Sequence, residues 1–560
     1  MYNEVRTVKN SNNRFIRMKT IAEGQSFANL ILRDRIYVDK TEYIFSLLRL
    51  YERVFISRPR RFGKSLTLDT IGTLFEYGVE PYFKDTWIYD KWSENTYPVL
   101  RLNFLEFSKT DIDEFKRVFN EKLSVFAKEN NIEDYAEDKE PSVSLQRLFA
   151  PLIKNKRHIV ILIDEYDTQL TSNINNVELY EKYQNILREI YGVFKSAPLR
   201  FLGITGVTRI KDVALFSNGS DIIDISNHTA YSQMIGFTRD EIKEYYIDYL
   251  KMAACCENGV SESEVTDSQI EEILDKLGYH YNGYCFDEMG EKKVFSTWSV
   301  NNFFKKLVST KKCTYGDYWY DNGGVPSILS NYLETHNLSS VEVLASNEII
   351  TVDLNDFLNP QSLIGINEHV LMCQTGYLTL RSSLADNDGF VDLGIPNNEV
   401  RKALLLRLRM MCFEKRVRIT GDEARILNEG DVSSIISLFN TVLNSVAYDH
   451  FCIVNEAAVR TVIYLGLLRN QAKIQCEVQS SKGRADLVIE TGDRRIVLEL
   501  KFAQNESEAR AKLDEAIAQI KDKDYGNILP LKKETLRITA VFNADPKVRS
   551  FSHFKELKSA

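Results

Sequence analysis

The stretch GRADLVIETGDRRIVLELKF, residues 483–502, holds two apolar runs, 487–489 and 496–500, on either side of Gly492-Asp493. A glycine in such a polar pair is the chemistry of a two-residue hairpin turn. With Thr491 facing Arg494, the register places Asp486 opposite Glu499. Side chains alternate along a strand, so Glu499 and Lys501 share a face. One face at the open end of the hairpin therefore gathers Asp486, Glu499 and Lys501. Two facing carboxylates repel, and burying them unpaired is costly. A divalent cation such as Mg²⁺ or Mn²⁺ resolves the conflict, because carboxylate oxygens are hard ligands. A lysine beside it is placed to stabilise developing negative charge. The competing reading is a lysine–carboxylate cluster on a solvated face. Leu498 and Leu500 predict a single buried side, which would leave those polar residues facing water within an apolar segment. Glu456, opening a helical pattern, and Glu477 in IQCEVQ are candidates to complete the ligand set. Gln519 and Lys521 lie on the following helical segment, which Tyr525 ends.

A second motif lies near the front of the chain. SRPRRFGKSLTL (57–68) follows the apolar run RVFIS and precedes a helical pattern through Leu66, Ile71, Leu74 and Phe75. Gly63, Lys64 and Ser65 match the end of the phosphate-loop pattern GxxxxGK[ST], with Arg58 at the first glycine's position. The loop Arg58, Pro59, Arg60, Arg61, Phe62, Gly63 and the helix start through Leu66 can cradle phosphates with their backbone N–H groups, Pro59 excepted because it has none, with Lys64 reaching the β- and γ-phosphates and Ser65 a Mg²⁺ ion. Alone, this could be a basic turn before a helix. HIVILIDEYD (158–167) adds the expected partner: a buried strand ending in Asp164, placed for Mg²⁺, and Glu165, placed to polarise water. LRFLGITGV (199–207) is a further buried strand, with Thr205 and Thr208 at its end as candidate γ-phosphate sensors and Arg209 a weaker one. Continuous apolar strands separated by helices predict a parallel sheet covered on both faces.

Bulk properties fit these readings. A chain of 560 residues, 44% hydrophobic and 27% charged, supports several domains with large cores. The net charge of −8 argues against a general nucleic-acid coat, but from Lys482 onward there are 16 Lys/Arg against 13 Asp/Glu. Eight cysteines without a CxxC fit a reducing cytoplasm, and isolated histidines give no zinc pattern. No apolar leader or membrane span is expected. The chain divides into an α/β part at 1–230, a mostly helical middle at 231–445 with aromatic turns at 279–286 and 318–326, and a helix–hairpin–helix–strand part at 446–560. The middle aromatics are expected in helical cores, a base-stacking sensor being the alternative.

The spacing of Asp486, Glu499 and Lys501 resembles the PD-(D/E)XK nuclease superfamily, with Ala485 where proline is frequent. Together with YVDKTEYI (37–44), SRPRRFGKSL, LIDEYD and GFTRDEI (236–242), the chain resembles microbial AAA-ATPase-like proteins that end in such a nuclease. The resemblance implies an ATP-binding AAA-like domain with a helical lid, Asp39 near the nucleotide, and a C-terminal α/β nuclease domain with Asp486, Glu499 and Lys501 at its core. Glu456 fits the first-helix acidic position. It implies DNA or RNA as substrate and a task in defence against phage or mobile elements. A homo-oligomer and a protein trigger are the expected partners beside nucleic acid; a neighbour's arginine finger is left open. The alternative is a nucleotide-dependent switch whose C-terminal domain binds nucleic acid or protein without cleaving.

Overall fold

The computed structural model describes residues 7–9, 15–22, 24, 26–210, 221–321, 349–385, 388–413, 421–446, 453–467, 473–480, 483–523, 532 and 534–557. The chain forms two compact units, Met1–Thr335 with Ile349–Val400, and His336–Glu348 with Arg401–Ala560. The boundary between the units falls at residue 400, within the middle segment 231–445.

The first unit is built on five parallel strands, β1 (Arg53–Ser57), β2 (Val99–Asn103), β3 (Ile159–Asp164), β4 (Leu199–Gly206) and β5 (Ile223–Asp224). They lie in the order β2-β3-β4-β1-β5. The residues from Ile159 to Ile163 are all buried, as a central parallel strand requires. Helix α1 (Lys64–Tyr77) begins directly after Gly63, whose φ of 105° is open to glycine and strained for other residues. Its packing on the sheet is close: a Cβ at Gly72 would lie 2.9 Å from Leu162, and one at Gly203 3.2 Å from Leu68. Because β4 separates β1 from β3, the phosphate loop, Thr205 and the Asp164-Glu165 pair converge at one sheet edge, where open α/β sheets bind ligands. The sequence reading had found β1, β3 and β4 but neither β2 nor the two-residue β5.

Beyond the sheet come α2 (Arg239–Tyr245), α3 (Ile247–Asn258), α4 (Asp267–Tyr281) and α5 (Thr297–Thr310). Leu250, Ile273, Leu274, Phe303 and Phe304 form their shared core with Ile36 and Val38. A capping box of Thr238 and Glu241 starts α2. The middle also holds short antiparallel sheets: Tyr284–Cys285 with Lys293–Val294, and Phe390–Gly394 between Ile350–Asp353 and Thr379–Leu380. Tyr281, Tyr284 and Trp319 are buried, so these aromatics are core groups, although Tyr279 is exposed. Residues 322–326 of the second aromatic stretch lie outside the described residues.

The second unit holds α6 (Glu456–Leu467), α7 (Glu506–Lys523) and five strands paired in chain order: β6 (Lys473–Ser480), β7 (Gly483–Glu490), β8 (Arg494–Ala503), β9 (Glu534–Asn543) and β10 (Ser550–Leu557). All neighbours are antiparallel except β8 and β9, which α7 connects in parallel. The sequence reading lacked β6 and β10. The hairpin register is the expected one: Leu487 faces Leu498, Glu490 faces Arg495, and the Thr491 N–H donates to the Arg494 carbonyl at 2.9 Å. The burial of β8 is not: every residue from Arg494 to Lys501 is buried, where alternation had predicted one buried side. A central strand in a mixed sheet is covered on both faces, so a solvated cluster at Glu499 and Lys501 does not exist.

Among the described residues no helix is long and apolar enough to cross a membrane. At the end of β4, a Cβ on Gly206 would collide with the Tyr166 ring and approach the Asp167 carboxylate to 2.9 Å. Gly206→Ala is therefore expected to lower stability by about 1–3 kcal/mol, read as a lower denaturant midpoint at unchanged slope.

Candidate functional site

At the sheet edge of the first unit, Asp164 is held by two hydroxyls. Ser65 Oγ donates to Oδ2 and Thr205 Oγ1 to Oδ1, each at 2.5 Å. The hydroxyl and carboxylate expected to share a Mg²⁺ ion thus already touch, and the Thr205 hydroxyl is engaged with the carboxylate. Lys64 is buried; its Nζ donates to the carbonyls of Arg58 at 3.0 Å and Pro59 at 3.3 Å, and lies 3.5 Å from Glu165 Oε1. Glu165 has a φ of 53°, a conformation uncommon outside glycine and typical of functional turns. The carboxylate therefore sits against the ammonium that a phosphate would claim.

Lys64, Ser65 and Glu165 line a cavity of about 1020 Å³ within the first unit. Its lining includes the cationic and polar Arg60, Arg61, Lys64 and Ser65 and the apolar Ile36, Val38, Ile235 and Phe237. Cationic and apolar lining suit a nucleotide's phosphates and base, and the volume lies at the large end for ligand pockets. Phe62, Gly63 and Leu66 also line it, whereas Arg58 and Pro59 do not. The Arg58 side chain is turned into the protein, donating to the Ser57 and Ser226 carbonyls and lying 4.2 Å over the Phe286 ring. Of the original phosphate-loop residues, then, Arg58 serves packing through its side chain. Asp39 accepts the N–H groups of Thr41 and Trp87, while its neighbour Lys40 lines the cavity and pairs with Glu241 at 2.5 Å.

The loop is also held from outside. Trp319 Nε1 donates to the Arg60 carbonyl at 3.2 Å and Thr297 Oγ1 to the Arg61 carbonyl at 3.0 Å. The Arg61 guanidinium lies 4.0 Å over Trp298, and Phe62 packs edge-on to Tyr284. Thr208 and Arg209 are not among the residues that line the cavity. Thr208 donates to Asp167, and Arg209 pairs with Asp224 at 2.5 Å. The role of Asp167 was missed: buried, it takes the N–H groups of Val207 and Thr208 and so fixes the turn after β4, with burial and the neighbouring Glu165 carboxylate raising its pKa.

In the second unit, Asp486, Glu499 and Lys501 are brought together as expected, with Glu456 beside them. Asp486 Oδ2 accepts the Leu500 N–H at 2.7 Å, in place of continued pairing of β7 with β8. Its Oδ1 lies 3.2 Å from Arg460 Nη1. Lys501 Nζ sits 3.3 Å from Glu499 Oε1 and 3.5 Å from Glu456 Oε2. Glu499 is 1% exposed, and its Oε2 is a buried acceptor without a hydrogen-bond partner among the described residues. Burial, with the Asp486 charge, pushes its carboxyl from 4.5 to about 8. Burial also raises Glu456, and at Lys501 the three carboxylates outweigh the opposing effect of burial and raise its pKa. Among the described residues no three acidic, histidine or cysteine groups already converge as a metal cage. The orphaned, buried oxygen of Glu499 beside Asp486 nevertheless fits a hard divalent ion, which Asp486 and Glu499 would hold. The Glu477 side chain and Tyr525 lie outside the described residues; Gln519 is half-buried and Lys521 exposed on α7. Arg460 was missed, although its place four residues after Glu456 on α6 put both on one helix face.

A phosphate-loop domain with an acidic pair on β3, and an α/β domain with a D–E–K cluster, define a P-loop ATPase-like and nuclease-like chain. Residues 23–216 match the family described as predicted AAA-ATPase, and residues 454–551 match the PD-(D/E)XK nuclease superfamily. The chain thus carries an AAA-ATPase-like domain and a PD-(D/E)XK nuclease superfamily domain. It is similar over 537 residues, at 26% identity, to the "Uncharacterized protein in vnfD 5'region" of Azotobacter chroococcum mcd 1, covering 92% of this chain and 94% of that one. Two solved structures align at low scores. The Cdc6p structure from Pyrobaculum aerophilum is 11% identical, with 65% of this chain and 90% of that chain covered and a TM-score of 0.24. The Aeropyrum pernix ORC1 protein in complex with DNA is 10% identical, with 68% and 97% covered and a TM-score of 0.26. Scores this low carry no inference for this chain.

The raised Glu499 carboxyl has a consequence for stability. Its folded value exceeds its unfolded one, so the folded state holds the proton more tightly, and the contribution is full below about pH 4.5 and lost as pH rises through about 8. Without added metal, wild-type protein is expected to melt at lower temperature at pH 9 than at pH 6, and Glu499→Gln to lose less over that interval. Equal pH slopes in the two proteins would contradict this.

Proposed function

We propose that the chain is an ATP-hydrolysing protein that controls a metal-dependent nuclease cleaving phosphodiester bonds of nucleic acid. The observation that carries the nuclease reading is the buried, unpartnered Glu499 oxygen beside Asp486, with Lys501 between Glu499 and Glu456. A bound divalent ion supplies Lewis acidity and a nucleophile at neutral pH. Asp486 and Glu499 hold it, and Lys501 steadies the negative charge that develops on the phosphate. At the front, Arg60, Arg61 and Lys64 take the triphosphate, Ser65 and Asp164 hold Mg²⁺, and Glu165 accepts a proton from the attacking water. Control of one activity by the other is read from their union in one chain. A cytoplasmic location follows from the scattered cysteines, and a defence task from the family resemblance.

The ATPase reading sets Lys64 against Glu165. Lys64→Ala is expected to abolish ATP binding in a filter or fluorescence assay. Glu165→Gln releases Lys64 from its carboxylate, so it should bind ATP at least as tightly as wild type while turnover falls on the order of 10²-fold. Unchanged turnover in both would remove the assignment.

For the nuclease, Asp486→Ala and Glu499→Ala should each abolish cleavage of DNA and RNA substrates with Mg²⁺ or Mn²⁺. Lys501→Ala should retain metal binding and slow cleavage by about 10²-fold. Wild-type cleavage should respond to ATP, and Lys64→Ala cleavage should not. Metal-stabilised folding with no cleavage of any nucleic acid would favour the binding switch instead.

A further inference from the structure

On the cavity of the first unit, α5 presents one polar group that the phosphate chemistry does not use. Thr297, Asn301 and Lys305 all line the cavity, four residues apart on one helix face. Thr297 holds the phosphate loop through the Arg61 carbonyl at 3.0 Å, and Asn301 lies one turn, about 6 Å, further along the helix. Its amide is fixed from behind: Tyr246, between α2 and α3, donates its hydroxyl to Asn301 Oδ1 at 2.6 Å. The Tyr246 ring is buried beside Phe237 of the apolar lining, with 5.8 Å between ring centroids. We propose that Asn301, oriented by Tyr246, reads the base of the bound nucleotide by donating an Nδ2–H to a ring nitrogen of adenine. The inference rests on the ATPase reading.

The tyrosine decides which end of the amide faces the cavity. Among the described residues its hydroxyl has no other partner, and a buried phenol needs an acceptor for its proton. Turning the amide over would set Nδ2–H groups against the hydroxyl and leave that proton unpaired. With Oδ1 spent on Tyr246, Asn301 offers only donors, and its Nδ2 has no partner among the described residues. Ile36 and Val38 belong to the same core cluster as Tyr246 and, with Phe237, give a flat ring apolar walls. Adenine carries three ring nitrogens, N1, N3 and N7, that accept hydrogen bonds. Guanine brings an N1–H and an N2 amino group, donors that call together for a carboxylate. Among the described residues that line the cavity the only carboxylate is Glu165, 3.5 Å from Lys64. The lining therefore favours adenine.

The test uses the full chain as wild type, Asn301→Asp and Tyr246→Phe. Each is titrated with ATP, GTP and the 1-, 3- and 7-deaza analogues of ATP, in which one ring nitrogen is replaced by C–H. Wild type should bind ATP at least about tenfold more tightly than GTP, and at least one deaza analogue about tenfold more weakly than ATP. Asn301→Asp keeps the acceptor for Tyr246 and removes the donor, so the penalty for that analogue should vanish. A merely structural loss would weaken ATP and the analogue alike. Tyr246→Phe lets the amide turn, and the penalty should shrink. Every analogue penalty surviving in a folded Asn301→Asp protein overturns the proposal. So does a wild type that binds all three analogues as well as ATP, the result expected of an amide on the ribose, or one that binds GTP as well as ATP. If Asn301→Asp does not fold, Asn301→Ser is read in the same way. A full penalty in Tyr246→Phe overturns the orienting role of Tyr246. A folded wild type that binds neither ATP nor GTP overturns the ATPase reading itself.

Discussion

A carboxylate buried where a strand ends must find a donor or a counter-charge, and both sites of this chain are answers to that demand. Asp164 takes two hydroxyls, from β4 and from the first turn of α1, so one acidic side chain ties the ends of β3 and β4 to the helix that follows β1. Asp486 takes a backbone N–H and an arginine. Glu499 has a lysine on one oxygen and nothing among the described residues on the other. In each case the compensation comes from groups that a phosphate or a metal ion can replace. Lys64 rests against Glu165 in the same way.

Much of this was legible in the sequence because the informative residues are local. The hairpin register followed from Gly492-Asp493, and with it the meeting of Asp486 and Glu499. Lys64 and Asp164 were readable because each closes an apolar strand or opens a helix after it. What escaped notice depends on residues distant in sequence. The short strands β2 and β5 are recognisable through their partners in the sheet, and β6 and β10 through β7 and β9. The burial of β8 arises because α7 and α6 both pack against it, which no alternation within residues 494–503 announces. Arg58 stands at a motif position, yet its side chain answers to Ser226 and Phe286, more than 160 residues away in the chain.

The middle segment also changes meaning when seen in three dimensions. Read as a helical region with aromatic turns, it offered a stacking surface. Tyr281, Tyr284 and Trp319 are instead buried, and Phe62 of the phosphate loop joins the same aromatic network. The aromatic content is explained by packing, and the loop's basic character by the cavity it borders.

The hydrogen bonds from Thr297 and Trp319 to the carbonyls of Arg61 and Arg60 bear on where this ATPase can be cut. The matched ATPase region ends at residue 216, but the groups that brace its phosphate loop lie at 284–319, and Trp319 is itself held through its N–H by Glu399. A fragment trimmed to the matched region would leave two loop carbonyls without their donors and strip Phe62 of its aromatic cover. Excision near residue 400, where the first unit closes, keeps the loop and its scaffold in one piece. The minimal nucleotide-binding fragment of this chain is therefore nearly twice as long as its recognisable motif region.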